Sequence, residues 1–483
     1  MYRSLKENLK YLKKEFGGSV DLIIRNIALI SPKSTNLAVI TIEGMCDKQN
    51  LCVSVINPIV NEAYSQNTGK EIFEFIRDSI ITAPDIVDVR TFDEMINLAM
   101  SGFAILMVDG YENMLAIGVQ GFNFRSVSEP ASETVQRGSR EGFVEPMQIN
   151  MSMIRRRIKD PDLTFETLTV GKLSKTQICL CYLKSVVSDS MLDILRKRLE
   201  SIKLSTVLAS GYLVSFMEDE NQKSLFTGIG VSERPDTVCG KLTEGRVAVI
   251  VDGSPAVLLV PYLFIENFQA IEDYSYRSYF ASFTRMLKYL SFAISLYLPA
   301  LYVTLSYHNP EYFPYELLKN IMKSIWETPL PLVFEVMLIY FIYEIMREAG
   351  LKIPRPSGHV VGIVGALVIG DAAVSAGIIG APTLMVVAIS SICGYVIPNL
   401  QSSLTVLRLM LVASGALFGI FGITILSIII IINMCSKTSI GVPYMMPITP
   451  FDRFSMRDVF IRADWKVMGK KVFKIKGSVQ DEQ

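Results

Sequence analysis

Residues 280–307 read FASFTRMLKYLSFAISLYLPALYVTLSY. A helix needs about 20 predominantly apolar residues to cross the hydrocarbon core of a bilayer, and this stretch supplies them. Arg277, Arg285 and Lys288 stand at its start, with Tyr302 and Tyr307 at its far end. Such interfacial anchors place the basic end in the cytoplasm. Residues 1–275 carry charges throughout, whereas between Glu348 and Asp452 the only acidic residue is Asp371. The chain is 50% hydrophobic with a mean hydropathy of +0.36, and that apolarity is concentrated in its second half. The expected architecture is therefore an α/β soluble N-terminal domain followed by an α-helical polytopic membrane domain. A net charge of +0 gives no basic surface for nucleic acid.

Downstream, residues 330–346 (LPLVFEVMLIYFIYEIM) form a second span that carries Glu335 and Glu344 and is followed by Arg347, Lys352 and Arg355. Residues 360–400 are long enough for two short spans or for one span plus a re-entrant segment, with breaks at Gly380, Pro382 and Pro398. Residues 404–434 are long for one helix, and Gly415, Gly419 and Gly422 point to a tilt or bend. A basic tail with Lys437, Arg453, Arg457, Arg462, Lys466, Lys470 and Lys471 belongs in the cytoplasm. The N-terminus, MYRSLKENLKYLKKEF, does not read as a signal peptide. With both ends inside, the number of crossings is even. Four are expected and six come second; Arg408 argues against four, which would put it at the outer surface.

Within HVVGIVGALVIGDAAVSAGIIGAP (residues 359–382), Gly362, Ala366 and Gly370 recur every four residues, a spacing that lets helices approach closely in lipid. Gly365 and Ala373 widen the small surface to a second face. Asp371 is costly against lipid, so it faces protein or water, either bonding a neighbouring helix end or lining a pore. His359 reads as a membrane-entry residue.

The soluble part divides into a basic amphipathic helix (1–36), an α/β subdomain (37–127), a polar strap (128–161) and a second α/β subdomain (162–275). The membrane domain (276–435) and tail (436–483) come after it. Asp109-Gly110 and Asp252-Gly253 each join two apolar runs, which is a hairpin signal. The strap alternates in sign through Glu129, Glu133, Arg137, Arg140, Glu141 and Glu145, then reaches Arg155, Arg156 and Arg157. Guanidinium–carboxylate forks between the subdomains, or contacts to an anion or partner, account for such a pattern. The 7 cysteines lack metal spacing and the 2 histidines lie outside the soluble part, so neither a cofactor nor an enzyme is expected.

Long strings in order carry a resemblance: RGSREGFVEP (137–146), IRRRIKDP (154–161), VDGSPAVLLVP (251–261), LPALYVTLSYHNPEYFP (298–314), EIMREAGLKIPRP (344–356) and GIVGALVIGDAAVSAGIIGAP (362–382). From about residue 100 to about 465 the chain resembles the A subunits of the GerA family of spore germinant receptors. In the tail, Ala463-Asp464 stands where that family has an apolar-proline pair. The resemblance implies a spore inner-membrane receptor with B and C subunits that senses nutrients and triggers germination by releasing ions. It implies that the A subunit is a homo-oligomer, a pentamer, forming a ligand-gated channel for monovalent cations, with the small-residue helix beside the pore. A non-conducting scaffold, or a paralogue tied to dipicolinic acid release, is the alternative. A transporter would need two matching halves, and the membrane region is too short for them.

Overall fold

The computed structural model describes residues 1–29, 35–62, 72–121, 130, 133, 135, 137–219, 224–352, 370–464 and 466. The first sheet contains β1 (Leu22–Leu29), β2 (Thr35–Ile42), β3 (Ile86–Val89), β4 (Ala104–Val108) and β5 (Met114–Ile117), all antiparallel, in the order β1-β2-β4-β5-β3. The second contains β6 (Leu163–Val170), β7 (Thr176–Leu183), β8 (Gly230–Ser232), β9 (Val247–Val251) and β10 (Val257–Val260), in the order β6-β7-β9-β10-β8. The two orders are the same. Each sheet also has its Asp-Gly hairpin between equivalent strands, β4–β5 and β9–β10.

Alternation along the strands sorts side chains between two covered faces. In β2, Leu37 and Val39 join one core while Ala38 and Ile40 face α1 (Leu5–Glu15) and α2 (Phe92–Ala99). In β7, Cys179 and Cys181 share the face packed by α3 (Met147–Arg157) and α5 (Pro235–Thr243). Ile178 and Leu180 face α4 (Asp189–Glu200).

The N-terminal boundaries need correction. Helix α1 ends at Glu15 rather than running to residue 36, because Gly17 and Gly18 take φ of +60° and +78°. Such angles suit glycine and stop a helix. The segment after these glycines, Leu22–Leu29, pairs with β2 from Leu22↔Ile42 to Leu29↔Thr35 and is the edge strand of the first sheet.

The helical region comprises α6 (Ser278–His308), α7 (Tyr315–Glu327), α8 (Leu332–Lys352), α9 (Ala381–Tyr395) and α10 (Gln401–Ser436). Among the described residues, two helices are long and apolar enough to cross a membrane, Ser278–His308 and Pro398–Ser436. Tyr315–Glu327 and Leu332–Gly350 qualify together but meet at 81°.

Helix α10 is not one straight rod. Gly419 has φ 63° and ψ −149°, outside the helical region, and the chain doubles back there. A Cβ at Gly415 would lie 3.2 Å from Ile423 Cδ1, whereas eight residues of straight helix separate two positions by about 12 Å. The first arm climbs beside α6 in the same direction, since Arg408 meets Ser295 and Ala416 meets His308. The second arm returns to the starting side, where Ser224 Oγ donates to Asn433 Oδ1 at 2.7 Å. This differs from the single helix expected for the last apolar stretch. Helices α8 and α9 both run back toward the soluble domain: Gly380 meets Glu335, Ser390 meets Tyr340, and Asn399 reaches Tyr262. Of residues 353–380, which join them, 353–369 lie outside the described residues.

The tail is not simply a charged extension. Lys437 pairs with Glu218 at 3.2 Å, Ser439 Oγ donates to the Gly228 carbonyl, and the Phe264 amide donates to the Tyr444 carbonyl at 3.0 Å. Residues 437–464 therefore pack between the second subdomain and the base of α6.

Candidate functional site: a polar seam through the helical bundle

Polar groups inside an apolar bundle are expensive unless paired, so their positions mark where function or specificity is built in. At the end far from the soluble domain, Glu335 is 1% exposed. Its Oε1 accepts the Gly380 amide at 2.6 Å, and nearby Tyr302 OH and Thr383 Oγ1 are 3.2 Å apart. A Cβ at Gly380 would lie 3.2 Å from Glu335 Oε1 and would displace Ser324 Oγ.

Mid-bundle, the Arg408 guanidinium is 1% exposed. Its Nε donates to the Ser295 carbonyl at 2.9 Å, Nη2 donates to Ser295 Oγ, and the group lies 4.8 Å from the Tyr340 ring centroid. Cation–π contact supplies part of what water would otherwise provide. Arg408 is thus held inside the bundle rather than at the outer surface. Toward the soluble domain, Glu344 accepts from Thr405 Oγ1 at 2.9 Å and pairs with Arg347 at 2.7 Å.

Where α6 leaves the soluble domain, Arg285 is fully buried instead of serving as an interfacial anchor. It pairs with Asp273 at 3.1 Å and with Asp458 of the tail at 2.8 Å, while Tyr274 OH donates to Asp458 Oδ2 at 2.6 Å. Burial, followed by the Asp458 charge, pushes the Tyr274 phenol well above its ordinary pKa. Three segments, the end of the second subdomain, the start of α6 and the tail, converge on one guanidinium.

The strap residues are distributed differently. Arg155 is 0% exposed and makes a fork to Asp21 at 2.7 and 3.0 Å, joining α3 to the entry of β1. The same guanidinium donates to the Leu163 carbonyl at 2.9 Å and stacks 5.0 Å from the Phe165 ring. Arg156 and Arg157 pair with the two oxygens of Glu141, at 2.6 and 2.7 Å. Arg137 lies 5.4 Å from the Tyr276 ring, at the foot of the bundle, and Arg140 is exposed. Of the small-residue helix, Gly362, Gly365 and Ala366 lie outside the described residues. A Cβ at Gly370 would lie 3.5 Å from Leu384 Cδ2, Ala373 packs against the bundle core, and Asp371 is exposed.

The family model described as "GerA: Bacillus/Clostridium GerA spore germination protein" matches residues 10–472. The chain belongs to the GerA family. Spore germination protein KA of Bacillus subtilis (strain 168) is 37% identical over 464 residues, covering 96% of this chain and 85% of that protein. Spore germination protein B1 of the same organism is 32% identical over 460 residues, covering 95% and 94%. The crystal structure of the N-terminal domain of the A subunit of the Bacillus megaterium spore germinant receptor GerK3 is similar at 30% identity. It aligns with 55% of this chain and 97% of that one at a TM-score of 0.43.

In this GerA-family chain, sequence reasoning singled out Arg408 as an anomaly of topology, not as a member of a cluster. Its neighbours Ser295, Gly394 and Gln401 carry no signal of their own. Small polar residues are ordinary in membrane helices, and only contact between α6, α9 and α10 makes them a group.

Proposed function

We propose that the chain is the A subunit of a germinant receptor in the spore inner membrane. It associates with B and C subunits, and copies of it assemble, as a pentamer, around a pathway for monovalent cations that opens when nutrient binds. It works without catalysis of its own. The observation that carries this reading is Asp371: the single carboxylate between Glu348 and Asp452 is exposed on the outside of the packed bundle. An ionised carboxylate on a lipid-facing surface is costly, and a water-filled path between copies removes that cost. The small-residue pattern from Gly362 to Ala373 suits close packing of such copies. The soluble domain and tail, joined to the bundle through Arg285, lie on the cytoplasmic side and transmit the change.

Reconstitution of the chain with its B and C partners, followed by recording of cation current with and without candidate amino acids, tests the proposal. Nutrient-dependent current whose selectivity shifts in Asp371→Asn is the expected result. A Leu at Gly365 or Ala366 should abolish it. No current from inserted, assembled protein would transfer the pore to another subunit and leave this chain a scaffold.

A further inference from the structure

Helix α7 comes after the far end of α6 and before the far end of α8, and it meets α8 at 81°. Helix α8 itself runs along the bundle, from the contact of Glu335 with Gly380 to that of Glu344 with Thr405. A helix nearly perpendicular to that direction lies across the end of the bundle, in the plane of any bilayer the bundle spans. One side of α7 is fixed to protein: Ile321 is buried, and Ile325 and the preceding Phe313 pack against the bundle core.

Another side is open. Trp326 is 86% exposed, more than any other large hydrophobic side chain among the described residues, and Tyr315 is 75% exposed. Tyr312, just before the helix, is 71% exposed. Steps of seven and four residues put Tyr315, Met322 and Trp326 on one stripe. The exposed Lys319 and Lys323 flank that stripe, and the exposed Glu316, Asn320 and Glu327 lie beyond the lysines, further round the helix. Aromatic rings with a polar edge favour the depth of lipid headgroups, and lysines reach charged groups there along apolar stems. An apolar stripe, then cations, then carboxylates is the order that a helix meets between acyl chains and water.

We infer that α7 lies flat in the phospholipid headgroup layer of the leaflet far from the soluble domain. Tyr315, Met322 and Trp326 turn toward the acyl chains, Lys319 and Lys323 meet lipid phosphates, and Glu316 and Glu327 face water. With two lysines and two glutamates the helix carries no net charge, so zwitterionic lipid suffices. Because α7 joins α6 to α8, this contact sets the height at which the far end of the bundle stands in the bilayer, whether or not the chain conducts.

The chain contains 2 tryptophans, Trp326 and Trp465. The full-length Trp465→Phe variant, reconstituted in phosphatidylcholine vesicles, leaves Trp326 as the fluorescent reporter. Its emission should be blue-shifted and spared by aqueous iodide, and lipids brominated near the top of the acyl chain should quench it most. In a second variant, Glu327→Trp with Trp326→Phe and Trp465→Phe, iodide should quench several-fold more strongly and brominated lipid less. Iodide quenching of Trp326 without lipid quenching would put the helix in water and overturn the inference. Quenching by neither agent would mean that protein, such as a second copy of the chain, covers the face, and strongest quenching by bromines at the chain ends would mean a helix that enters the hydrocarbon. Either result overturns it, as does the same quenching profile at both positions.

Discussion

Ser403 and Asn433 stand near opposite ends of the last apolar helix, yet adjacent residues of the second subdomain hold both. Ser403 Oγ donates to the Leu225 carbonyl and Ser224 Oγ donates to Asn433 Oδ1. Thirty residues of straight helix would set them about 45 Å apart. The turn at Gly419 places them on one side, so the last stretch goes out and comes back, and the tail emerges beside the subdomain on which it docks.

Gly419→Ala should weaken that turn. Its backbone angles are accessible almost only to glycine, and the added Cβ would meet the His308 ring at 3.4 Å. A cost of about 1–3 kcal/mol is expected from strain of this kind, read as a lower thermal midpoint in detergent. In oriented vesicles, an impermeant thiol reagent should label native Cys435 and a Ser402→Cys variant, both exposed positions, from the same side. Labelling from opposite sides would restore the single passage.

Arg155→Ala should be among the most damaging substitutions in the soluble part. It leaves Asp21, 2% exposed, without its cation and frees the Leu163 carbonyl. Removing one partner of a buried pair costs about 3–5 kcal/mol. Chemical denaturation should register this, and limited proteolysis should cut near the strap. Arg155→Lys restores charge but not the two-pronged geometry, so it should rescue only in part.

Asp458→Asn should loosen the tail. Arg285 would lose the tail's carboxylate while keeping Asp273, and the Tyr274 bond would weaken. The expected outcome is faster proteolysis within residues 445–464 with the helical content unchanged. Cleavage at the native rate would show that the Ser439 and Tyr444 contacts anchor the tail alone.

Acid should act first where the second subdomain meets the bundle. Burial alone would raise the pKa of Glu266, but Arg246 and Lys241 outweigh it and hold the carboxyl below its usual value. A lowered folded pKa contributes stability that is present above the unfolded value, about 4.3, and lost as pH falls through the folded one. Stability should therefore decline below about pH 4.3. In Glu266→Gln the decline over that window should be shallower, at a lower overall stability, and circular dichroism melts across pH measure both.

Much of the architecture was legible in the sequence. The apolar runs flanking both Asp-Gly turns announced the β4–β5 and β9–β10 hairpins, and the segregation of charge separated the watery part from the oily one. Each of these signals is local. The edge strand β1 escaped notice because LIIRNIAL comes after a basic helix with no Asp-Gly turn to announce it, and its partner lies across residues outside the pattern.

The sequence by itself determined which stretches are apolar and where glycine permits unusual backbone angles, because hydrophobic patterning and backbone sterics act over a few residues. Only the tertiary structure decided which partner each buried charge takes. Arg155 and Asp21 are 134 positions apart and Arg285 and Asp458 are 173. The sequence also left open whether Gly415, Gly419 and Gly422 bend a helix or reverse it, and tertiary packing chose reversal. Local propensity leaves both outcomes available; burial of Ile423 against Gly415 and bonding of both helix ends to residues 224–225 favour the second.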